Sequence, residues 1–179
     1  MKSATVSARP FPWRILIATQ IAVSAIAVTA VAKMPTRLVW NVTASVPTGL
    51  YAVRDDVPLR PGVLVAVMPP EPLATWLVSY GYLGHGAPLL KHIEALPGAR
   101  VCREGERVTV DGRPRAIARR TDRLGRRLPH WSGCRIVGEG ELFLLNPDEP
   151  ASLDGRYFGP LPRASVIGRA TPIWLDDDR

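Results

Sequence analysis

Past residue 33 this chain is almost without lysine. Its 179 residues include 20 Arg and 3 Lys. Lys2 and Lys33 fall in the N-terminal stretch, which leaves Lys91 alone in the apolar run Leu89-Leu90-Lys91. Arginine stays protonated in nearly any setting, whereas burial can strip the proton from lysine. A chain that avoids lysine elsewhere and sets one among leucines marks that position for chemistry, with a spared surface residue as the plain alternative. Cysteine is scarce too. Cys102 and Cys134 are the only two, a number that fits one disulfide in an oxidising compartment or two separate buried thiols. There is no internal repeat and no low-complexity segment. A hydrophobic content of 46% excludes a disordered chain. No metal or other cofactor is called for.

What is present begins with turns. Eighteen prolines and fifteen glycines, spread evenly, punctuate short strands rather than a flexible linker. Strands are expected over Leu38–Val42, Leu50–Val53, Val63–Met68, Leu89–Ala95, Glu141–Asn146 and Val166–Ile173. A hairpin is expected over Arg107–Ala118, turning at Asp111-Gly112. Glu71–Tyr80 is the best helix candidate, with Pro72 in its first turn. The expected fold is mainly β, a small barrel or folded ribbon.

Residues Ile15–Ala32 carry no charge and just reach the length of a membrane span. Lys2, Arg9 and Arg14 precede the run, and Lys33 and Arg37 follow it. That slight excess places the N-terminus in the cytoplasm and the remainder in the periplasm of a bacterium. Ala30-Val31-Ala32 also has the small-x-small form of a signal-peptide cleavage site. Both readings export the domain, and the length of the run favours an uncleaved anchor. The expected organisation is a cytoplasmic tail over 1–14, an anchor over 15–33, a catalytic domain over 36–174 and an acidic tail over 175–179.

The charge of +7 is concentrated in Arg103–Arg127, which holds nine arginines. A solvated hairpin and loop is the first reading, and a contact with anionic lipid head groups or an acidic partner the second. A nucleic-acid partner is not expected, because no aromatic residues interleave there to stack bases.

Three segments carry candidate chemistry. In Ser45-Val46-Pro47-Thr48-Gly49-Leu50-Tyr51, Pro47 and Gly49 shape a tight turn that exposes Ser45, as a nucleophile requires. In Leu89–Gly98, strand alternation puts Lys91 and Ile93 on one face and His92 and Glu94 on the other. Burial among leucines would depress the Lys91 pKa and make its amine a base. The same alternation turns His92 away, and nothing marks His85 or His130 as a base. In Asn146–Ala170, Asp154 and Arg156 are two apart, so in a strand they share a face and can pair. Ser152 could orient an amine.

In this order and behind an N-terminal anchor, the three segments resemble the signal peptidase I family of Ser-Lys proteases. The spelling S-x-P-x-G-x-Y, the small size and the cysteine pair are similar to its conjugal-transfer branch, the TraF-type peptidases that mature pilin precursors. The resemblance covers residues 36 to 174. It implies that Ser45 is the nucleophile, Lys91 the general base and Ser152 the residue that orients the lysine. Asp154 and Arg156 become a supporting pair, with Asp154 tied to activity. Thr43 and the Ser45 backbone N–H take the place of an oxyanion hole. The implied substrate is a membrane-bound protein precursor, a pilin that is cleaved and possibly cyclised. A general signal peptidase and a non-catalytic scaffold of the conjugation apparatus are the alternatives. Val46 stands where general signal peptidases have Met, Gly155 replaces the second serine of S-x-D-S-R, and Leu-Leu-Asn-Pro-Asp replaces Gly-Asp-Asn. Those departures count against housekeeping preprotein processing.

Overall fold

The computed structural model describes residues 13–31, 36–55 and 58–176, with side chains of the N-terminal helix given through Ser24. The chain divides into two compact units, Met1–Met34 and Pro35–Arg179. In the first, helix α1 spans Trp13–Val31 and shows its described side chains to the exterior. Among the described residues, no helix is long and apolar enough to cross a membrane. The far end of the expected anchor and most of the 1–14 tail lie outside the described residues, as do the last three residues of the acidic tail.

The second unit is mainly β. Its strands are β1 (Thr36–Asn41), β2 (Gly49–Arg54), β3 (Leu64–Val67), β4 (Leu89–Ala95), β5 (Arg100–Glu104) and β6 (Arg107–Val110), followed by β7 (Arg113–Ile117), β8 (Gly133–Ile136), β9 (Glu141–Leu145), β10 (Leu161–Pro162) and β11 (Val166–Leu175). Two short helices interrupt them, α2 (Leu73–Ser79) and α3 (Gly155–Phe158). Seven strands form one sheet in the order β1-β2-β11-β3-β4-β9-β10, and four form another in the order β7-β6-β5-β8. All pairings are antiparallel. The large sheet ends on β1 at one side and on the two-residue β10 at the other, so the closed barrel is not formed. Pro162 in β10 has no N–H with which to extend the ladder.

Local chemistry explains where elements begin and end. Asp111 and Gly112 both take positive φ (48° and 76°), the geometry of a two-residue hairpin whose twist matches its strands. Helix α2 is shorter than the expected 71–80. Pro72 acts as its N-cap, and Tyr80 follows its last residue. Strands β5, β8 and β10 were not legible beforehand. In β5 the buried face alternates Val101 with Arg103, and a charged residue at a core position hides the pattern.

β4 is an interior strand of the large sheet, hydrogen-bonded to β3 on one side and β9 on the other. Its neighbours supply Val65, Val67, Leu142 and Leu144, which pack with Ile93 into a fully buried cluster. Burying each such side chain contributes about 1.5–3 kcal/mol. That packing makes β4 a stiff platform for the one lysine it carries.

Candidate active site

The turn that carries Ser45 is built by Asn41 at the end of β1. Its Nδ2 donates to the carbonyl oxygens of Thr43 (2.9 Å), Val46 (3.1 Å) and Pro47 (3.0 Å). Three carbonyl acceptors around one atom fix which end of the amide is nitrogen. Oδ1 then accepts from the Thr43 backbone N–H (3.1 Å) and from the Thr43 hydroxyl (2.7 Å). Thr43 Oγ1 also lies 3.2 Å from Ser45 Oγ. Because the Thr43 proton goes to Asn41, Ser45 is the donor in that pair.

Two further letters of S-x-P-x-G-x-Y have physical reasons. The Tyr51 hydroxyl donates to the Pro47 carbonyl at 2.7 Å and clamps the turn from β2. Gly49 has φ +146°, and a Cβ there would sit 2.2 Å from the Trp174 carbonyl oxygen on β11. Only glycine lets the two backbones come this close.

Lys91 is 3% exposed, and its Nζ donates to Ser152 Oγ at 3.0 Å. Burial above all, with help from the nearby Arg156 charge, pulls its pKa down to about 8 against the upward pull of Asp154 and Glu149. Lys91, Ser152, Thr43 and Ser45 line one cavity of about 200 Å³, with Leu77 and Leu89 on its apolar side. Among the described residues, no hydrogen bond joins Ser45 to Lys91. An amine of this kind is half neutral near pH 8 and can accept a proton, and a hydroxyl that shares its cavity can supply one.

Asp154 and Arg156 do pair, but not as strand neighbours. Asp154 is the N-cap of α3, and its Oδ1 accepts from the Arg156 backbone N–H at 3.2 Å. The guanidinium grips both carboxylate oxygens, Nε to Oδ1 at 2.8 Å and Nη2 to Oδ2 at 3.1 Å. An Asp immediately before a turn of helix satisfies orphan N–H groups, and that capping overrides extended geometry here. Both residues are buried. Gly155 is required between them. A Cβ at that position would lie 2.7 Å from both the Leu144 carbonyl oxygen and a ring carbon of Phe143, so the serine that the general family carries has no room.

Asn146, at the end of β9, joins all three segments and was missed beforehand. Its Nδ2 donates to the Ser45 carbonyl (2.8 Å) and the Leu90 carbonyl (3.1 Å). Its Oδ1 accepts from the His92 backbone N–H (3.1 Å) and meets His92 Nδ1 at 3.0 Å. Its own N–H donates to Asp154 Oδ2 (3.0 Å), and its carbonyl accepts from Arg156 (2.8 Å). The one available signal was a polar residue closing an apolar run, Leu142–Leu145, and that is also how any strand end looks.

His92 alternates with the buried Lys91 along β4 and stays out of the Lys91 cavity, but it lines a separate cavity of about 510 Å³ together with Ser45. Cys102 and Cys134 stand directly opposite each other on β5 and β8 and are joined. In the arginine-rich stretch, Arg103 departs from the expected solvated face. It is buried, donates to the Arg156 carbonyl at 2.8 Å and lies over the Tyr157 ring. Arg115 pairs with Glu94 and Arg126 with Asp122. Among the described residues, no group of His, Cys, Asp and Glu has the geometry of a metal site.

Comparison with known proteins bears on this arrangement. Residues 11–175 match the family model described as signal peptidase, peptidase S26. The conjugal transfer protein TraF of Agrobacterium fabrum is 38% identical over 149 residues, which cover 76% of this chain and 82% of that protein. A plasmid transfer protein TraF of Escherichia coli is 30% identical over 143 residues, covering 74% and 80%. A signal peptidase I from Enterococcus faecalis, solved by crystallography, aligns at 21% identity over 65% of this chain and 99% of that one, with a TM-score of 0.39. With nearly the whole chain inside the family match and relatives of similar length, this protein belongs to the signal peptidase family, peptidase S26.

Proposed function

We propose that this protein is a membrane-anchored serine endopeptidase that processes a pilin precursor during conjugation. Ser45 is its nucleophile and Lys91 its general base. The observation that supports this most is the buried Lys91 amine, its pKa drawn down to about 8, in the same cavity as Ser45. The names of the relatives add the setting of conjugal transfer.

In this reading neutral Lys91 takes the Ser45 proton as Oγ attacks the substrate carbonyl carbon. Collapse of the tetrahedral adduct breaks the C–N bond, and the lysine ammonium returns its proton to the leaving amine. Water then releases the acyl group, or an amine does so and forms a new peptide bond. If that amine is the N-terminus of the same chain, the product is cyclic. Ser152 holds the Lys91 amine between these steps. The Ser45 N–H, with the Thr43 hydroxyl once it turns from Asn41, stabilises the oxyanion. The uncharged run from residue 15 keeps the enzyme at the membrane, and a periplasmic domain suits the paired cysteines.

The test is co-expression with a pilin precursor encoded beside the gene, with the product mass read by mass spectrometry. Ser45→Ala and Lys91→Ala should each leave the precursor uncut. Lys91→Arg should do the same, since arginine keeps the charge but cannot act as a base. Processing by Ser45→Ala would sink the protease reading, and processing by Lys91→Arg would sink the lysine base alone.

A further inference from the structure

The catalytic cavity opens onto a second one. Tyr82, Arg123, Ala151 and Leu153 line both the cavity that holds Ser45 and Lys91 and a neighbouring cavity of about 410 Å³. The neighbour is strongly basic. Arg119, Arg123 and Arg126 line it, and Asp122 is its one carboxylate.

Asp122 is already fully engaged. Its Oδ2 accepts from the Tyr82 hydroxyl and from Arg126 Nε, both at 2.6 Å. Its Oδ1 accepts from the backbone N–H groups of Leu124 (2.9 Å) and Arg126 (2.8 Å). The Tyr82 bond first, and then those from the loop and Arg126, hold this carboxyl well below the usual carboxylate range. Arg126 in turn lies over the rings of Tyr82 (4.7 Å) and Tyr80 (5.4 Å) and donates to the Tyr80 carbonyl. The loop is thereby fastened to the segment that follows α2, and Asp122 and Arg126 neutralise each other.

Arg119 and Arg123 are left over. The Arg119 backbone is fixed by the Tyr157 hydroxyl, which accepts its N–H at 3.0 Å. Among the described residues, neither guanidinium has a carboxylate in ion-pair range. Glu149, the acid that lines the catalytic cavity beside Arg123, instead accepts the Ala151 N–H through Oε1 at 2.9 Å. Two exposed cations without a carboxylate partner, lining a cavity next to the proposed nucleophile, form a receptor for an anion that arrives with the substrate.

We propose that this second cavity, reached past Arg123, binds a carboxylate of the peptide substrate close to the scissile bond and so sets which precursors are cut. The carboxylate is either an Asp or Glu side chain or the free C-terminus of the substrate. A charged lipid face would meet Arg113 and Arg123 alike, since both are exposed, whereas a carboxylate bound in the cavity depends on Arg123, which lines it, and not on Arg113, which does not. The proposal rests on the peptidase reading above.

The test uses the full chain in detergent micelles with synthetic decapeptides containing an Ala-x-Ala stretch. Glu or Gln is scanned through the flanking positions, and each peptide is made with a free and an amidated C-terminus. Wild type should cleave a Glu peptide or a free-acid peptide faster than its neutral twin. Arg123→Gln should shrink that ratio of kcat/KM roughly tenfold, the strength of one charge-assisted bond, mainly through KM. Arg113→Gln, on the exposed hairpin, should leave the ratio unchanged. Each ratio is internal to one protein, so partial misfolding cannot mimic the effect. Preference for Glu at one position identifies a side chain, and preference for the free acid alone identifies the terminus. Equal cleavage of charged and neutral twins by wild type overturns this inference and leaves the peptidase reading standing. Cleavage of no peptide by wild type, or the same cleavage by Ser45→Ala, overturns the peptidase reading and this one with it.

Discussion

The side-chain amide of Asn146 donates to the carbonyl oxygen of Ser45 at 2.8 Å, across 101 residues of chain. The same nitrogen holds the carbonyl of Leu90, next to Lys91. One buried side chain therefore sets the spacing between the two residues proposed to exchange a proton.

Asn146→Asp turns that nitrogen into an oxygen that faces two carbonyl oxygens and brings a charge into a buried site. We expect a loss of about 2–4 kcal/mol in urea unfolding, and processing reduced by more than the loss of folded protein. Stability equal to wild type would show that Asn146 does not hold the segments together.

Turnover should rise with pH through a midpoint near 8 and level off above it. Lys91 must be neutral to accept a proton, and burial sets that midpoint. The check is kcat/KM against pH with a cleaved peptide. Asp154→Asn removes an opposite charge that raises the Lys91 pKa and leaves Arg156, which lowers it, unanswered. The midpoint should therefore move to lower pH by roughly one unit. A midpoint shifted upward, or unmoved in a folded variant, would contradict the electrostatic role given to Asp154.

Lys91→Met should abolish processing yet stabilise the fold at pH 7 by about 2 kcal/mol, since a buried ammonium is costly. The sign follows from linkage. The folded pKa of about 8 lies below the ordinary 10.5, so the penalty is complete below 8. It fades as pH rises through that window, and the gain from Lys91→Met should shrink with it. Thermal melts at pH 7 and pH 10 give the comparison.

Gly155→Ser would restore the family spelling S-x-D-S-R but should destabilise the fold by about 1–3 kcal/mol, because its Cβ meets backbone and ring atoms at 2.7 Å. A neutral result in urea unfolding would mean that α3 shifts to accept it.

Lys91 was legible in the sequence because two simple signals agreed: a lysine-poor chain and a strand period of two. The Asp111-Gly112 hairpin was legible because its chemistry is local. Ser45 was legible only as part of a family spelling, and the reasons for that spelling lie in distant backbone, such as Trp174 against Gly49. Asn146 was out of reach because its partners, at Ser45, Leu90 and His92, are far away in sequence. Arg103 misled for a related reason. Its charge is answered inside the core by the Arg156 carbonyl and the Tyr157 ring, neither of which a composition can reveal.

The alternation of β4 has one more consequence. Lys91 faces the cavity it shares with Ser45 and Ser152, and His92 faces a different one, because β4 is locked in register between two neighbours. Adding or deleting one residue between Leu89 and Ala95 would exchange the two faces and bring an imidazole where the amine stands. Substitutions along this strand can be gradual in effect, but its length cannot drift. Among descendants of this gene, the segment should vary in spelling while never changing its count.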